Sequence, residues 1–103
     1  MLETIEEKAA REKRVLAWLG AGYVSQGVLA LIENSSNEEL AVLFYRHALG
    51  DWGLVPDEDR QSNDHALRNN ERVISSYLFA GIKILIITEA DRARTTALLP
   101  SEY

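Results

Sequence analysis

No cysteine occurs in the chain. Its absence excludes a disulfide framework, thiolate catalysis and cysteine-ligated metals, and it suits a reducing compartment. Proline and glycine are scarce as well, at two and six residues. This leaves no low-complexity tract, and no repeat recurs at solenoid period. Apolar runs stay well short of a membrane span, and the opening MLETIEEKAAREKR mixes acids and bases where a signal peptide would be basic. The expectation is a cytoplasmic protein with no membrane segment. Clustered Lys and Arg are missing too. The net charge is −5, and it is unevenly spread: residues 1–33 carry five acids and four bases, 34–71 eight and three, and 72–103 three and four. Nucleic-acid binding neutralises phosphates with clustered cations, so general DNA binding is disfavoured, whereas a small local arginine pocket is not.

What is present is the composition of a folded globule. The 103 residues, 47% hydrophobic, suffice for a single domain that buries roughly two thirds of its unfolded surface. Residues 1–22 read as a charged N-terminal helix extension. Thr4 with Glu7 fits a capping box, Ile5, Ala9, Leu16 and Leu19 fall near one stripe, Glu7 and Arg11 form an i,i+4 pair, and Gly20 and Gly22 end the helix. Glu12 interrupts the stripe, so the first two turns are solvated or meet a partner chain. Tyr23 and Val24 read as extended, and Ser25 caps a brief helix reaching Leu31 or Ile32.

A third helix starts from Ser36 or Asn37, with Glu38 and Glu39 at its positive end, and runs to about Ala48. Its stripe of Leu40, Leu43 and Phe44 continues to His47, which turns the histidine toward the core. The corner RHALGDWG, residues 46–53, closes this helix, with Gly50 as a left-handed C′ residue and Asp51, Trp52 and Gly53 as a loop. Pro56 opens a fourth helix, about 56–68, whose Asp57, Glu58 and Asp59 complement its dipole. Asn63 lies on the sparse apolar side of that helix with Ala66 and Leu67, and must find polar partners there.

The last third changes character. RVISSYLF and IKILIIT are rich in β-branched and aromatic residues and are separated by Ala80 and Gly81, a two-residue hairpin signal. Taken literally, that turn pairs Phe79 with Ile82, Tyr77 with Ile84, Ser75 with Ile86 and Val73 with Thr88, and sets Arg72 against Glu89. A turn through EADR, with Asp91 bonding nearby backbone amides, leads to a third strand, Arg94 to Leu99, ended by Pro100. The fold class is then α+β, with three to four helices followed by a C-terminal three-stranded antiparallel meander that has ILII at its centre. Both faces of so apolar a strand want cover. Helices 37–48 and 56–68 serve one face. The N-terminal helix or a second subunit serves the other, and a homodimer is expected.

These residues carry a resemblance. From Tyr23 to Tyr103, about four fifths of the chain, the motifs run in a specific spacing. They are RH-x-x-GDWG (Arg46, His47, Gly50, Asp51, Trp52, Gly53), the acidic helix with Asn63, then Arg72, Ser75 and Tyr77. ITEADR (Ile87 to Arg92), Thr95 and Thr96, and LLP-x-EY (Leu98, Leu99, Pro100, Glu102, Tyr103) complete the set. Together they resemble a widespread family of small, uncharacterised bacterial proteins encoded on plasmids and other mobile elements. The charged N-terminal helix and the ILII run depart from that pattern and bear on oligomerisation rather than chemistry. The resemblance implies a mobile-element setting and no particular activity.

Two function classes follow. The first is an interaction or regulatory module whose ligand is a protein or a small molecule, with no cofactor and no metal. The second is a metal-independent, ribonuclease-like enzyme directed at phosphoesters. In it His47 would move the proton, Arg72 would steady the phosphorane charge, and Tyr77, Ser75, Thr95 and Thr96 would position the phosphate. Asp51, Trp52 and Asn63 complete the candidate ligand-binding set. Each residue also has a structural reading. His47 sits near a helix C-terminus, where the dipole favours its cation and Asp51 could orient its ring. Trp52 serves as a lid on the core, and Arg72 with Glu89 as a sheet salt bridge. Asp57, Glu58 and Asp59, near His65, are explained as helix-start acids without a metal. Tyr103 either tucks against the sheet or forms a docking tail. Exposed His47 and Arg72 converging on one cleft would favour the enzyme, and burial of both would nearly remove it.

Overall fold

The computed structural model describes residues 2–103. In chain order it contains α1 (Ile5–Leu19), β1 (Ala21–Val24), α2 (Gln26–Ile32), α3 (Asn37–Ala48), α4 (Asp57–Arg68), β2 (Val73–Phe79), β3 (Ile82–Thr88) and β4 (Arg94–Leu98), then a 3₁₀ turn at Pro100–Glu102. Hydroxyl caps start three of the helices. Thr4 accepts from the N–H of Glu7 at 3.0 Å, Ser25 from that of Val28 at 3.2 Å and Ser36 from that of Glu39 at 3.1 Å.

The architecture is α+β, but the sheet is not a three-stranded antiparallel meander. It has four strands in the order β1-β4-β3-β2, and β1 joins β4 in parallel. The ladder is tied at its ends by Ala21 N–H to Ala93 O at 3.0 Å and by Ser25 N–H to Ala97 O at 2.9 Å. Four residues that include a glycine and an alanine show no alternation of their own, and their partner strand lies far along the chain. No local signal could therefore identify them as a strand. The N-terminal helix is accordingly more than an extension: α1 packs on α3, buries Leu19 and hands the chain directly into the sheet.

The hairpin behaves as its turn dictates. Phe79 faces Ile82, Tyr77 faces Ile84, Ser75 faces Ile86 and Val73 faces Thr88. Ala80 and Gly81 both adopt positive φ, 53° and 74°, the hand that matches strand twist in a two-residue turn. Strict alternation then divides the sheet into two faces. Val73, Ser75, Tyr77, Phe79, Ile84, Ile86, Thr88, Thr95 and Ala97 point to one, and all are buried. There Tyr77, Phe79, Ile84, Ile86 and Ala97 pack with Val28 of α2 and Leu40 and Leu43 of α3 as the main core. The helices do not divide as the apolar patterns imply. α3 covers this face, whereas α4 lies along the outer edge of β2, where Ala66 joins Trp52 and Val73 in a second cluster. The opposite face carries Arg72, Ile74, Ser76, Leu78, Lys83, Leu85, Ile87 and Thr96, and it stays partly open. Among the described residues no helix is long and apolar enough to cross a membrane.

Candidate functional site

The stripe of α3 delivers His47 to the covered face, and the sheet closes around it. The side chain is fully buried. Its Nδ1 bonds to Ser75 Oγ and its Nε2 lies 2.8 Å from Thr88 Oγ1, which is 2.6 Å from Thr95 Oγ1. Thr95 in turn donates to the carbonyl of Leu19 at 2.7 Å. With the ring neutral, proton accounting fixes every direction in this chain. The one hydroxyl hydrogen of Thr95 goes to Leu19, so Thr95 accepts from Thr88; Thr88 has then spent its hydrogen and accepts from His47 Nε2–H. That leaves Nδ1 as the acceptor for the Ser75 hydroxyl, a neutral Nε2–H tautomer with both ring nitrogens engaged. Rings of Trp18 and Trp52 flank the imidazole, each with its centroid 5.7 Å away. Burial, with Arg92 nearby, holds the histidine pKa down at about 3. Desolvation thus overrides the helix dipole that would have favoured a cation. The imidazole is sealed from solvent with both of its ring nitrogens engaged.

The corner after α3 is built for geometry. Asp51 does not orient His47. Its carboxylate takes Arg46 Nε at 2.7 Å and the N–H of Gly53 at 3.3 Å, and the Arg46 hydrogen bond holds its pKa below the usual value. The backbone carbonyl of Asp51 receives the hydroxyl of Tyr77. Burial pushes Tyr77 up to about 12, so it stays a neutral phenol. Trp52 is the expected lid, buried to 2% exposure, with its indole N–H on Asp64 Oδ1 at 3.1 Å. Gly53 needs its left-handed φ of 72° because it runs against β2, where a Cβ would stand 2.0 Å from the carbonyl oxygen of Ser76. Leu54 N–H bonds to Ser76 O at 2.8 Å, and Ser76 N–H to Trp52 O at 3.2 Å.

Asn63 finds the partners its position demands. Its amide donates to Ile74 O at 2.7 Å and accepts from Ile74 N–H at 3.1 Å. The side chain thereby substitutes for a neighbouring strand along the edge of β2.

Arg72 and Thr96 belong to the other face. Although the register sets Arg72 opposite Glu89, the expected ion pair does not form. The guanidinium turns to Tyr103, donating to its hydroxyl at 2.7 Å with its carbon 5.6 Å from the ring centroid. Tyr103 is placed by the residue before it. Glu102 accepts from Ser25 Oγ at 2.5 Å, Leu99 N–H at 2.7 Å and Gly27 N–H at 3.1 Å, and so fastens the C-terminal turn to the start of α2. The EADR turn is equally structural: Asp91 accepts from Ala93 N–H at 2.9 Å, while Arg92 bonds the carbonyls of Glu71, Glu89 and Ala66 and lies over Trp18.

The candidate residues are thus divided by the sheet. His47, Ser75, Tyr77 and Thr95 meet on the covered face with Trp52, Asn63 clamps the edge, and Arg72 and Thr96 line the open face. One of the cavities that open to solvent is on that last face, a cleft of about 390 Å³ between α4 and the sheet. Leu54, Val55, Ile74 and Leu85 supply apolar walls, and Asp59, Glu71, Arg72 and Lys83 line it as well. Ser76 also lines the cleft; it is 2% exposed, and its hydroxyl has no hydrogen-bond partner among the described residues. Sequence reasoning overlooked Ser76 and Thr88 as polar residues of interest. Register was the available signal: Thr88 shares a face with Ser75, and Ser76 falls between Ile74 and Leu78 on the opposite one. Compared with protein-family models, curated proteins and solved structures, the chain matches none.

Proposed function

We propose that the protein is a small interaction and regulatory module that binds its ligand, a protein segment or a small molecule, in the cleft between α4 and the open face of the sheet. The hydroxyl of Ser76 carries this reading. A buried polar group without a partner is costly and rare in a native fold, and Ser76 is among the residues lining an accessible cleft whose volume lies within the range of about 300–1,000 Å³ common to small-ligand sites. The cations Arg72 and Lys83 are balanced by Asp59 and Glu71. That balance favours a neutral or zwitterionic amphipathic ligand over a phosphate. The phosphoester-directed alternative needs His47 and Arg72 at one reacting group, and a sheet lies between them. A cytoplasmic, mobile-element setting accords with the composition and with the family resemblance.

An amide NMR titration with N-acetyl-leucine amide, a neutral amphipathic probe, tests the site. Shifts are expected to centre on Ile74, Ser76 and Leu85 and to vanish in Ser76→Val; scattered shifts, or none at millimolar probe, would sink the reading. RNA incubated with the protein is expected to remain intact. Cleavage that disappears in a folded His47→Ala variant would reinstate the enzyme.

A further inference from the structure

The two edges of the sheet are treated in opposite ways. Along β2 the outward backbone groups of Ile74 and Ser76 are covered by Asn63 and by the strand-like run from Trp52 to Leu54. β1, at the other end of the strand order, has no neighbour on its outer side among the described residues, and all four of its residues are exposed. Ala21 and Ser25 direct their N–H groups to β4, so alternation turns those of Gly22 and Val24 outward. Natural edges are commonly blunted by lysine, proline or a bulge, and AGYV has none of these.

The surroundings of β1 are apolar. Leu16 and Tyr23 are 55% and 54% exposed, and Val24 is 38% exposed. A groove of about 380 Å³ lined by Leu16, Leu19, Val24, Leu40 and Phe44 runs beside the strand. Residues 15–32 form the longest stretch of the chain without a charged side chain. For two copies that each carry −5, this is the stretch through which they approach without meeting like charge.

We infer that β1 pairs antiparallel with β1 of a second copy about a two-fold axis at Tyr23, joining two four-stranded sheets into one of eight. Gly22 suits such a mate. Its φ lies outside the left-handed region, and a Cβ placed there would meet nothing within 4 Å. Nothing among the described residues requires glycine at this position. In the two-fold register Gly22 exchanges both backbone hydrogen bonds with Val24 of the other copy, and Val24 exchanges both with the other Gly22. Each Val24 then stands beside a Gly22 on the same face, and an isologous contact repeats this small-beside-large pair twice. The groove beside each strand receives the apolar flank of its mate. This pairing is independent of the cleft that holds Ser76.

Size-exclusion chromatography with light scattering on the full chain tests it. The wild type is expected at twice the chain mass in the micromolar range. Tyr23→Lys changes an exposed side chain and sets two ammonium groups directly opposite each other at the axis, so it is expected to keep its circular dichroism and its melting transition while eluting as a monomer. Val24→Lys, which puts like charges across the axis, is expected to do the same. A monomeric wild type at millimolar concentration overturns the inference and leaves an extended segment of another protein as the strand's mate. A dimer that survives both substitutions overturns it as well, since its interface must then lie elsewhere.

Discussion

The side-chain amide of Asn63 is hydrogen-bonded to both backbone groups of Ile74, at 2.7 and 3.1 Å. A single residue of α4 thus does at Ile74 what a fifth strand would do, fastening the helix to the sheet and, with the run from Trp52 to Leu54, closing an edge that would otherwise be free to pair.

Replacing it by a residue of similar volume that cannot hydrogen-bond isolates that role. Asn63→Leu removes both bonds and leaves the N–H and C=O of Ile74 without partners, an expected cost of about 2 kcal/mol or more. Urea unfolding should show a lower midpoint. An unchanged midpoint would mean that packing of Ala66 and Trp52 holds α4 without the amide.

His47 makes stability depend on pH. Its pKa falls from 6.5 to about 3 on folding because burial disfavours the cation. The unfolded chain therefore binds the extra proton between those values. The contribution is complete above the unfolded pKa and is lost as pH falls through that window, at a slope approaching 1.4 kcal/mol, roughly, per pH unit. The carboxylate of Asp51, with a lowered pKa, contributes in the same direction only at more acidic pH. Urea midpoints measured from about pH 7 down to about pH 5, above the carboxylate range, isolate the histidine. They should fall in the wild type and stay nearly level in a folded His47→Gln variant. A level wild-type profile would contradict the buried, neutral assignment.

Gly53→Ala tests the backbone approach of the corner to β2. The left-handed φ and a Cβ aimed at Ser76 O and the Tyr77 ring predict a loss of about 3 kcal/mol or more. A small effect on the thermal transition would require the segment from Trp52 to Leu54 to shift away from the strand at little cost.

Ala80 offers the opposite prediction. It holds φ 53° at the first turn position of the hairpin, a conformation that alanine adopts with strain. Ala80→Asn or Ala80→Gly relieves it, and a gain of about 1 kcal/mol is expected, raising the melting temperature by about 4 °C or more. A drop would show that the alanine methyl group makes a contact worth more than the strain.

Features that depend on neighbouring positions were legible in the sequence. The hydroxyl caps Thr4, Ser25 and Ser36, the α3 stripe ending at His47, and the register set by Ala80 and Gly81 each follow from rules spanning a few residues. So did the demand that Asn63 find partners, although the strand edge that satisfies it was out of view. Arg72 shows where pairing rules fail: Glu89 stands opposite in the register, yet Tyr103, brought in by the C-terminal turn, takes the guanidinium.

By itself the sequence determined an α+β domain, its helix starts, its hairpin and the inward turn of His47. Tertiary structure alone decided that Ala21–Val24 would be a fourth, parallel strand, that α4 would clamp an edge instead of covering a face, and that His47 and Arg72 would be separated by the sheet. The physical reason is common to all three. A strand as short as β1 exists only when its partner arrives, and the charge of a histidine depends on the hydroxyls and rings that close over it. Both depend on residues distant in the chain whose contacts local patterns do not encode.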